Sequence, residues 1–239
     1  MFKMDIEKIW NESKWTAQAR QIIRGLKNFP EDSKITLILR HSRRNEPKIL
    51  DNLHNIRLTP EGHAIAKEFG RLLPIDREIR LFHSIIMRCE ETAENILSGF
   101  ENIGGKGKII GAFSPLYDIR ASSDFLPNLL KKYNIYQFFF RWAADLFPPD
   151  QIISMQKYCQ NAAKLIWSEI NNSPDRAIDI HVTHDILIIA FKLGWFGFPP
   201  KKRWVSFLGG FALTFEKNNI LLLDSGNLVS AEVPYWWEN

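Results

Sequence analysis

Two histidines, one of them set among arginines, are the residues in this sequence best suited to do chemistry. Arg40, His41 and Arg44 lie within five positions of one another, and His184 is followed directly by Asp185. A histidine can accept a phosphoryl group covalently and so divide one difficult displacement into two easier steps. Guanidinium groups bind phosphate oxygens through paired hydrogen bonds and keep their charge. These residue types therefore predict phosphoryl transfer.

A third arginine, Arg88, comes at the predicted start of a helix. A helix N-terminus offers N–H donors to an anion, and a cation there is unfavourable unless an anion lies beside it. A phosphate monoester carries roughly −1.5 to −2 charges, which three arginines can neutralise without a metal. Asp185 can protonate the departing oxygen. No cluster of histidine, cysteine or acidic residues has the short spacing of a metal site, so we expect neither metal nor cofactor.

Three predicted strands must bring these residues together. Each strand precedes a predicted helix: residues 35–40 precede 60–73, residues 80–84 precede 88–97, and residues 177–183 precede 185–193. Alternating strands and helices indicate an α/β fold with a mainly parallel sheet. Ligands bind at the carboxyl ends of the strands in such sheets, which is where the histidines and arginines fall. We expect His41 to be exposed on its loop.

The rest of the chain is predicted to complete one domain over residues 1–239. Its other parts are a helical lead-in at 1–34, a strand at 108–113, a small helical cap at 114–150, a helix at 152–170 and a hairpin at 211–215 and 220–224. The cap is rich in aromatic residues between Tyr133 and Phe147, which we interpret as packing residues. Such a lid can also stack on an apolar or ring-bearing leaving group.

Four segments, in this order, resemble signatures of the histidine phosphatase superfamily, also called phosphoglycerate mutase-like. They are Leu-Arg-His-Ser-Arg-Arg at 39–44, Leu-Thr-Pro-Glu-Gly at 58–62, Ser-Ile-Ile-Met-Arg-Cys-Glu-Glu-Thr-Ala at 84–93 and Thr-His-Asp at 183–185. The first resembles the family's RHG-type motif, and the last resembles the His-Asp pair of its acid phosphatase branch. The resemblance implies a three-layer α/β/α sandwich and a metal-independent phosphatase that acts through a phosphohistidine.

The resemblance also assigns roles to individual residues. His41 would be the phosphorylated nucleophile, His184 would contact the same group in the transition state, and Asp185 would be the proton donor. Three arginines would hold the phosphoryl oxygens: Arg40, Arg44 and Arg88.

The sequence departs from the family pattern at two positions. Ser42 stands where the family usually has glycine, and Pro47 lies one residue beyond the usual proline. Two further carboxylates, Glu46 and Asp51, follow the first strand and are alternatives to Asp185 as proton donor.

Each candidate also has a structural interpretation. His184 and Asp185 can form a cap of the helix that follows, with Asp185 accepting backbone donors, or Thr183 can be the cap. Four other histidines, His54, His63, His83 and His181, are predicted to be structural, the last two by bonding to partners in the core. Cys89 lies beside Arg88, which can lower a thiol pKa, although a buried packing cysteine is the preferred interpretation. For the whole protein, a phosphomutase or a non-catalytic phosphate-binding protein are the alternative functions.

Composition narrows the class of partner. The 239 residues carry a net charge of +4 with two cysteines, which suits an anionic ligand and provides no disulfide framework. The basic cluster at 201–203 is interpreted as a solvated turn, and no nucleic-acid-binding motif is present. No signal peptide or membrane span is predicted. We expect a cytoplasmic protein with a small phosphorylated substrate, and make no prediction of oligomeric state.

Overall fold

A seven-stranded sheet lies at the centre of the computed structural model, which describes residues 4–46, 55–122, 125–200 and 204–237. The strands are β1 Ile35–Arg40, β2 Ile79–His83, β3 Gly107–Ala112, β4 Ile178–Thr183, β5 Gly210–Glu216, β6 Asn219–Asp224 and β7 Asn227–Glu232. Their order across the sheet is β3-β2-β4-β1-β5-β6-β7. Strands β1, β2 and β4 are buried along almost their whole length, as apolar strands covered on both faces must be.

The sheet is mixed, so the prediction of a mainly parallel sheet is wrong. Strands β1 to β4 pair in parallel, whereas β5, β6 and β7 form an antiparallel meander that joins the sheet beside β1. The predicted hairpin is confirmed as β5 and β6. The strands that precede the predicted site residues all belong to the parallel half.

Helices cover both faces of the sheet, and the predicted three-layer α/β/α sandwich is confirmed. One face carries α1 Ile6–Glu12, α2 Ala17–Leu26, α3 Pro60–Arg71 and α4 Met87–Glu101; the other carries α5 Phe125–Lys132, α6 Ile135–Ala143, α7 Met155–Asn172 and α8 Asp185–Phe196. Within β1, Leu37 and Leu39 pack into the core beneath α1 to α4, and Ile38 packs into the core beneath α5 to α8. This is the alternation expected of a strand with two buried faces.

The lead-in and the cap region pack onto opposite faces. Trp10 of the lead-in contacts Phe69 of α3, with ring centroids 6.4 Å apart. Phe138, Phe139 and Trp142 of α6 are buried in the core that α7 and α8 share, so these cap aromatics do pack. The division into a single domain with a cap insertion at 114–150 stays a prediction. Within the four ranges above, no helix is long and apolar enough to cross a bilayer.

Candidate active site

The carboxyl ends of β1, β2 and β4 meet at one edge of the sheet and bring the predicted polar segments together. The backbone N–H of His41 donates to the Thr183 carbonyl at 3.0 Å, and that of Ser84 donates to the Val182 carbonyl at 3.0 Å. The ladder between the strands thus continues one residue past each strand end. The rings of His41 and His184 lie with their centroids 5.6 Å apart.

Two hydrogen bonds fix the protonation of His41. Its Nδ1 lies 2.8 Å from the Ser42 carbonyl, which can only accept. Its Nε2 lies 3.0 Å from Nε of Arg88, which can only donate. Nδ1 therefore carries the proton, and Nε2 presents a lone pair. Burial, and then the charges of His184 and Arg88, lower the pKa of His41 well below its ordinary value.

The prediction that His41 is exposed is wrong, because only 2% of the residue is accessible. The loop that carries His41 folds against the neighbouring strand ends, and the imidazole ring is buried between them. Burial is what keeps the imidazole neutral, and a neutral imidazole is the form that can act as a nucleophile.

Arg88 links the two histidines from the second position of α4. Its Nη2 donates to Nδ1 of His184 at 3.3 Å while its Nε donates to His41. Because Nδ1 of His184 accepts, Nε2 of that ring carries the proton and donates to Oγ of Ser84 at 3.1 Å. Both rings are thereby oriented by the same guanidinium.

Arg40 is paired with Asp185 at the same edge. Nη2 of Arg40 lies 3.0 Å from Oδ2 of Asp185, and Nη1 donates to the Val205 carbonyl at 2.6 Å. Asp185 also accepts a hydrogen bond from the backbone N–H of Ile186 at 3.0 Å. It is the first residue of α8, and His184 is the N-cap. His184 thus occupies the cap position and Asp185 accepts a backbone donor, as the capping interpretation of this pair predicted, whereas the suggestion that Thr183 is the cap is wrong.

Arg44 is the third predicted arginine, and its charge acts on the other two. Its Nη1 donates to the Asn45 carbonyl at 2.9 Å and lies 3.5 Å from Oε2 of Glu46. Burial lowers the pKa of Arg40 and of Arg88, and the positive charge of Arg44 adds to that lowering in both. The three predicted arginines therefore lie close enough to interact through their charges.

Ser42 fits at the position where the family usually has glycine. Its Oγ donates to the Gly62 carbonyl at 2.7 Å, and its N–H donates to Oγ1 of Thr92 at 3.0 Å. The loop after β1 packs closely against α3 at Gly62. An added Cβ at Gly62 would lie 2.0 Å from the carbonyl oxygen of Arg43, so this position requires glycine. The serine side chain is directed into α3 and does not obstruct His41.

A loop that the sequence analysis missed closes one side of the site. The N–H of Leu208 donates to the Arg40 carbonyl at 3.2 Å. The Phe207 ring lies 4.4 Å from the guanidinium carbon of Arg40 and 5.8 Å, centroid to centroid, from His41. Gln18 of the lead-in accepts from the N–H of Ser206 at 3.0 Å. The loop leads into β5, whose place beside β1 no local signal in the sequence indicates.

Several other predicted residues are structural. Burial raises the pKa of Cys89 to about 12, which confirms a packing cysteine over an activated one. His83 bonds to the Ser84 carbonyl at 3.0 Å. His181 stacks on Phe82 at 4.6 Å, and neither of its nitrogens has a hydrogen-bond partner in the described parts of the chain. The prediction that it bonds to a core partner is therefore wrong, and burial lowers its pKa to about 3.

The predictions for Pro47, Asp51, His54 and the basic cluster at 201–203 fall outside the described residues. Among the residues that are described, no group of three or more histidine, cysteine or acidic side chains is arranged to hold a metal ion.

Three solved structures with the same fold are distant in sequence. The mycobacterial glucosyl-3-phosphoglycerate phosphatase aligns with a TM-score of 0.50 at 14% identity, covering 84% of this chain and 100% of its own. The phosphoserine phosphatase of Entamoeba histolytica in complex with 3-phosphoglyceric acid gives 0.52 at 17% identity, covering 85% and 98%. The protein YhfR of Bacillus stearothermophilus gives 0.51 at 18% identity, covering 84% and 96%.

These neighbours are members of the histidine phosphatase superfamily, and this chain has their fold. The resemblance drawn from the sequence motifs is thus confirmed at the level of the fold. No protein-family model and no curated protein matches the sequence.

Proposed function

We propose that this protein is a metal-independent phosphatase that hydrolyses a phosphate monoester through a phosphohistidine on Nε2 of His41. The observation that carries the proposal is the geometry around this atom. Nε2 is unprotonated because Nδ1 donates to the Ser42 carbonyl, and its neighbour at 3.0 Å is a guanidinium. A lone pair held beside a phosphate-binding group suits nucleophilic attack on a bound phosphoryl group.

In the first step Nε2 of His41 attacks phosphorus, so that a P–N bond forms while the ester P–O bond breaks. Arg88 must release Nε2 and turn its N–H groups to the phosphoryl oxygens, where Arg40 and Arg44 add their charge. The phosphoryl group displaces Asp185 from its ion pair with Arg40, and the freed carboxylate takes up a proton from solvent. Asp185 is proposed to give this proton to the departing oxygen. The hydrogen bond from Nδ1 to Ser42 remains, and keeps the ring aimed at the phosphorus.

In the second step a water molecule attacks the phosphohistidine, and the P–N bond breaks as phosphate forms. Asp185, now a carboxylate, takes the proton from this water and releases it to solvent when its ion pair with Arg40 forms again. His184 is proposed to turn its Nε2–H from Ser84 to an oxygen of the transferred phosphoryl group. The cycle needs only the substrate and water.

The neighbours support a small phosphorylated substrate. Among them, the Entamoeba histolytica phosphoserine phosphatase is complexed with 3-phosphoglyceric acid, and the mycobacterial phosphatase is named for glucosyl-3-phosphoglycerate. Test substrates with and without a carboxylate group should therefore be compared. A panel of sugar, amino-acid and aryl phosphates, assayed for released phosphate, tests the proposed function directly.

We expect activity on that panel to survive EDTA and to be inhibited by vanadate. Three guanidinium groups take the charge-neutralising role that a metal ion has in other phosphatases. Vanadate imitates the five-coordinate phosphorus of the transition state and should compete with substrate. The measurement is initial rate with and without chelator, with each divalent ion added back as the control. Activity that disappears with EDTA and returns with one metal ion would contradict the proposed mechanism.

The pH dependence offers a second test. Because the pKa of His41 lies well below its ordinary value, the imidazole stays unprotonated as the pH falls. We expect the acid limb of kcat/KM to lie below the usual histidine pKa of about 6.5. Replacing Arg88 by glutamine removes a positive charge that lowers this pKa, so the acid limb should move to higher pH even though the rate falls.

Wild type and Arg88→Gln are compared on the same substrate, so that ionisation of the substrate affects both pH profiles equally. Arg176→Gln is a matched control, because Arg176 is partly exposed and paired with Asp76. An acid limb that is unmoved in Arg88→Gln, or moved equally in Arg176→Gln, would show that the limb does not report on His41.

A further inference from the structure

The cap carries a groove that is separate from the residues of the catalytic edge. It has a volume of about 470 Å³ and is lined in part by Phe125, Tyr133, Phe147, Lys132 and Arg141. A second depression of about 430 Å³ shares Tyr133 and Arg141 with it. We call the two together the Arg141 groove. Neither is lined by a residue of the proposed mechanism.

Arg141 lies where the two depressions meet. Its guanidinium carbon lies 4.7 Å from the ring centroid of Tyr133 and 5.6 Å from that of Phe147. Its Nε is buried and has no hydrogen-bond partner in the described parts of the chain. No ion pair found among those residues includes Arg141. The guanidinium thus contacts two aromatic rings and has no carboxylate partner in those parts of the chain, so an anion in the groove could serve as its counter-ion.

The other lining residues agree with this requirement. Nζ of Lys132 lies 5.2 Å from the ring centroid of Tyr133, on the same aromatic surface. No aspartate or glutamate lines either depression. Tyr136 and Phe140 border the second one and are 48% and 55% exposed. Two cations and two exposed aromatic side chains are complementary to an anion attached to a flat apolar body.

We propose that the Arg141 groove is a second binding site of this protein and that it binds an aromatic anion, such as an aryl carboxylate, sulfonate or phosphate. The anionic group accepts hydrogen bonds from Arg141 and is drawn by Lys132. The ring packs on the exposed aromatic side chains of Tyr136 and Phe140. This proposal goes beyond the proposed phosphatase activity and does not depend on it.

Naphthalene-2-sulfonate is a suitable probe, because it carries the anion and the ring but no ester to hydrolyse. Titration calorimetry on the full chain, with excess inorganic phosphate present to occupy the catalytic edge, should give saturable binding. Arg141→Gln should weaken that binding by about tenfold or more, the effect of losing one charge-assisted hydrogen bond. Neutral 2-naphthol should bind wild type more weakly by a similar factor. Arg176→Gln, a surface arginine elsewhere, should bind the probe as wild type does.

Three results would overturn the proposal: no saturable binding, equal affinity in wild type and Arg141→Gln, or equal affinity for 2-naphthol. Thermal melting establishes that each variant is folded. Should Arg141→Gln not fold, Lys132→Gln and Tyr133→Leu replace it, since one removes the second cation and the other the shared ring. Affinity unchanged in both of these would equally contradict the proposal. Because this experiment measures binding and not phosphatase activity, it can contradict the second binding site without bearing on the proposed phosphatase function.

Discussion

Replacing His41 by alanine should lower kcat/KM by at least about 10⁴-fold, the scale of loss seen when a covalent nucleophile is removed. The remaining arginines would still bind phosphate, so substrate binding should persist while turnover disappears. Wild-type protein, quenched rapidly with substrate present, should carry an acid-labile phosphate that the variant lacks. The phosphate should map to the peptide that contains His41.

Because His41 is buried, this variant also needs a test of its fold. Alanine leaves the Nε–H of Arg88 and the carbonyl of Ser42 without their partner, at a cost of about 1–3 kcal/mol for each group left unsatisfied. Thermal melting would reveal this cost, and His41→Asn, which retains a polar side chain, provides a milder version. His63→Ala, which removes a histidine that bonds to Asn95, is the matched control and should turn over normally. Wild-type turnover in His41→Ala, or labile phosphate mapped to His184, would contradict the assignment.

The parts of the site that the sequence could predict are those determined by local patterns. A β-branched run that ends in Arg40 and His41 indicates a buried strand followed by a functional loop, and the same logic applies at Thr183 and His184. The rule that parallel strand ends share one edge then brings His41 and His184 together before any coordinates are known. The structure places their rings 5.6 Å apart.

The remaining features depend on long-range contacts that no local pattern specifies. The sequences of β1 and β5 do not indicate that these two strands pair with each other. The position of Phe207 against Arg40 could therefore not be predicted. The burial of His41 depends in the same way on how its loop folds onto neighbouring strand ends. The protonation of the ring follows from two specific partners, Ser42 and Arg88, which only three-dimensional geometry identifies.

Asp185→Asn should slow alkyl phosphates by about 10²- to 10⁴-fold, the usual contribution of a positioned proton donor. An alkoxide needs a proton as the ester bond breaks, whereas p-nitrophenolate departs readily without one. The amide keeps the size of the side chain and can still accept from the N–H of Ile186, but it has no such proton to give. The rate on p-nitrophenyl phosphate should therefore change much less, and the ratio of the two rates is the measurement.

The ratio is needed because Asp185 has a second role in the structure. Its Oδ2 pairs with Arg40 at 3.0 Å, so the substitution also loosens an arginine that is proposed to bind phosphate, and it should cost both substrates the same modest factor. Asp185→Glu, which restores the acid on a longer side chain, should recover part of the alkyl rate. Equal slowing of both substrates would mean that Asp185 only positions Arg40. The proton donor would then be sought at Glu46, which lies 3.5 Å from Arg44, or at Asp118, whose segment is joined to the end of β4 by the hydrogen bond from Thr183 to the Leu116 carbonyl at 2.7 Å.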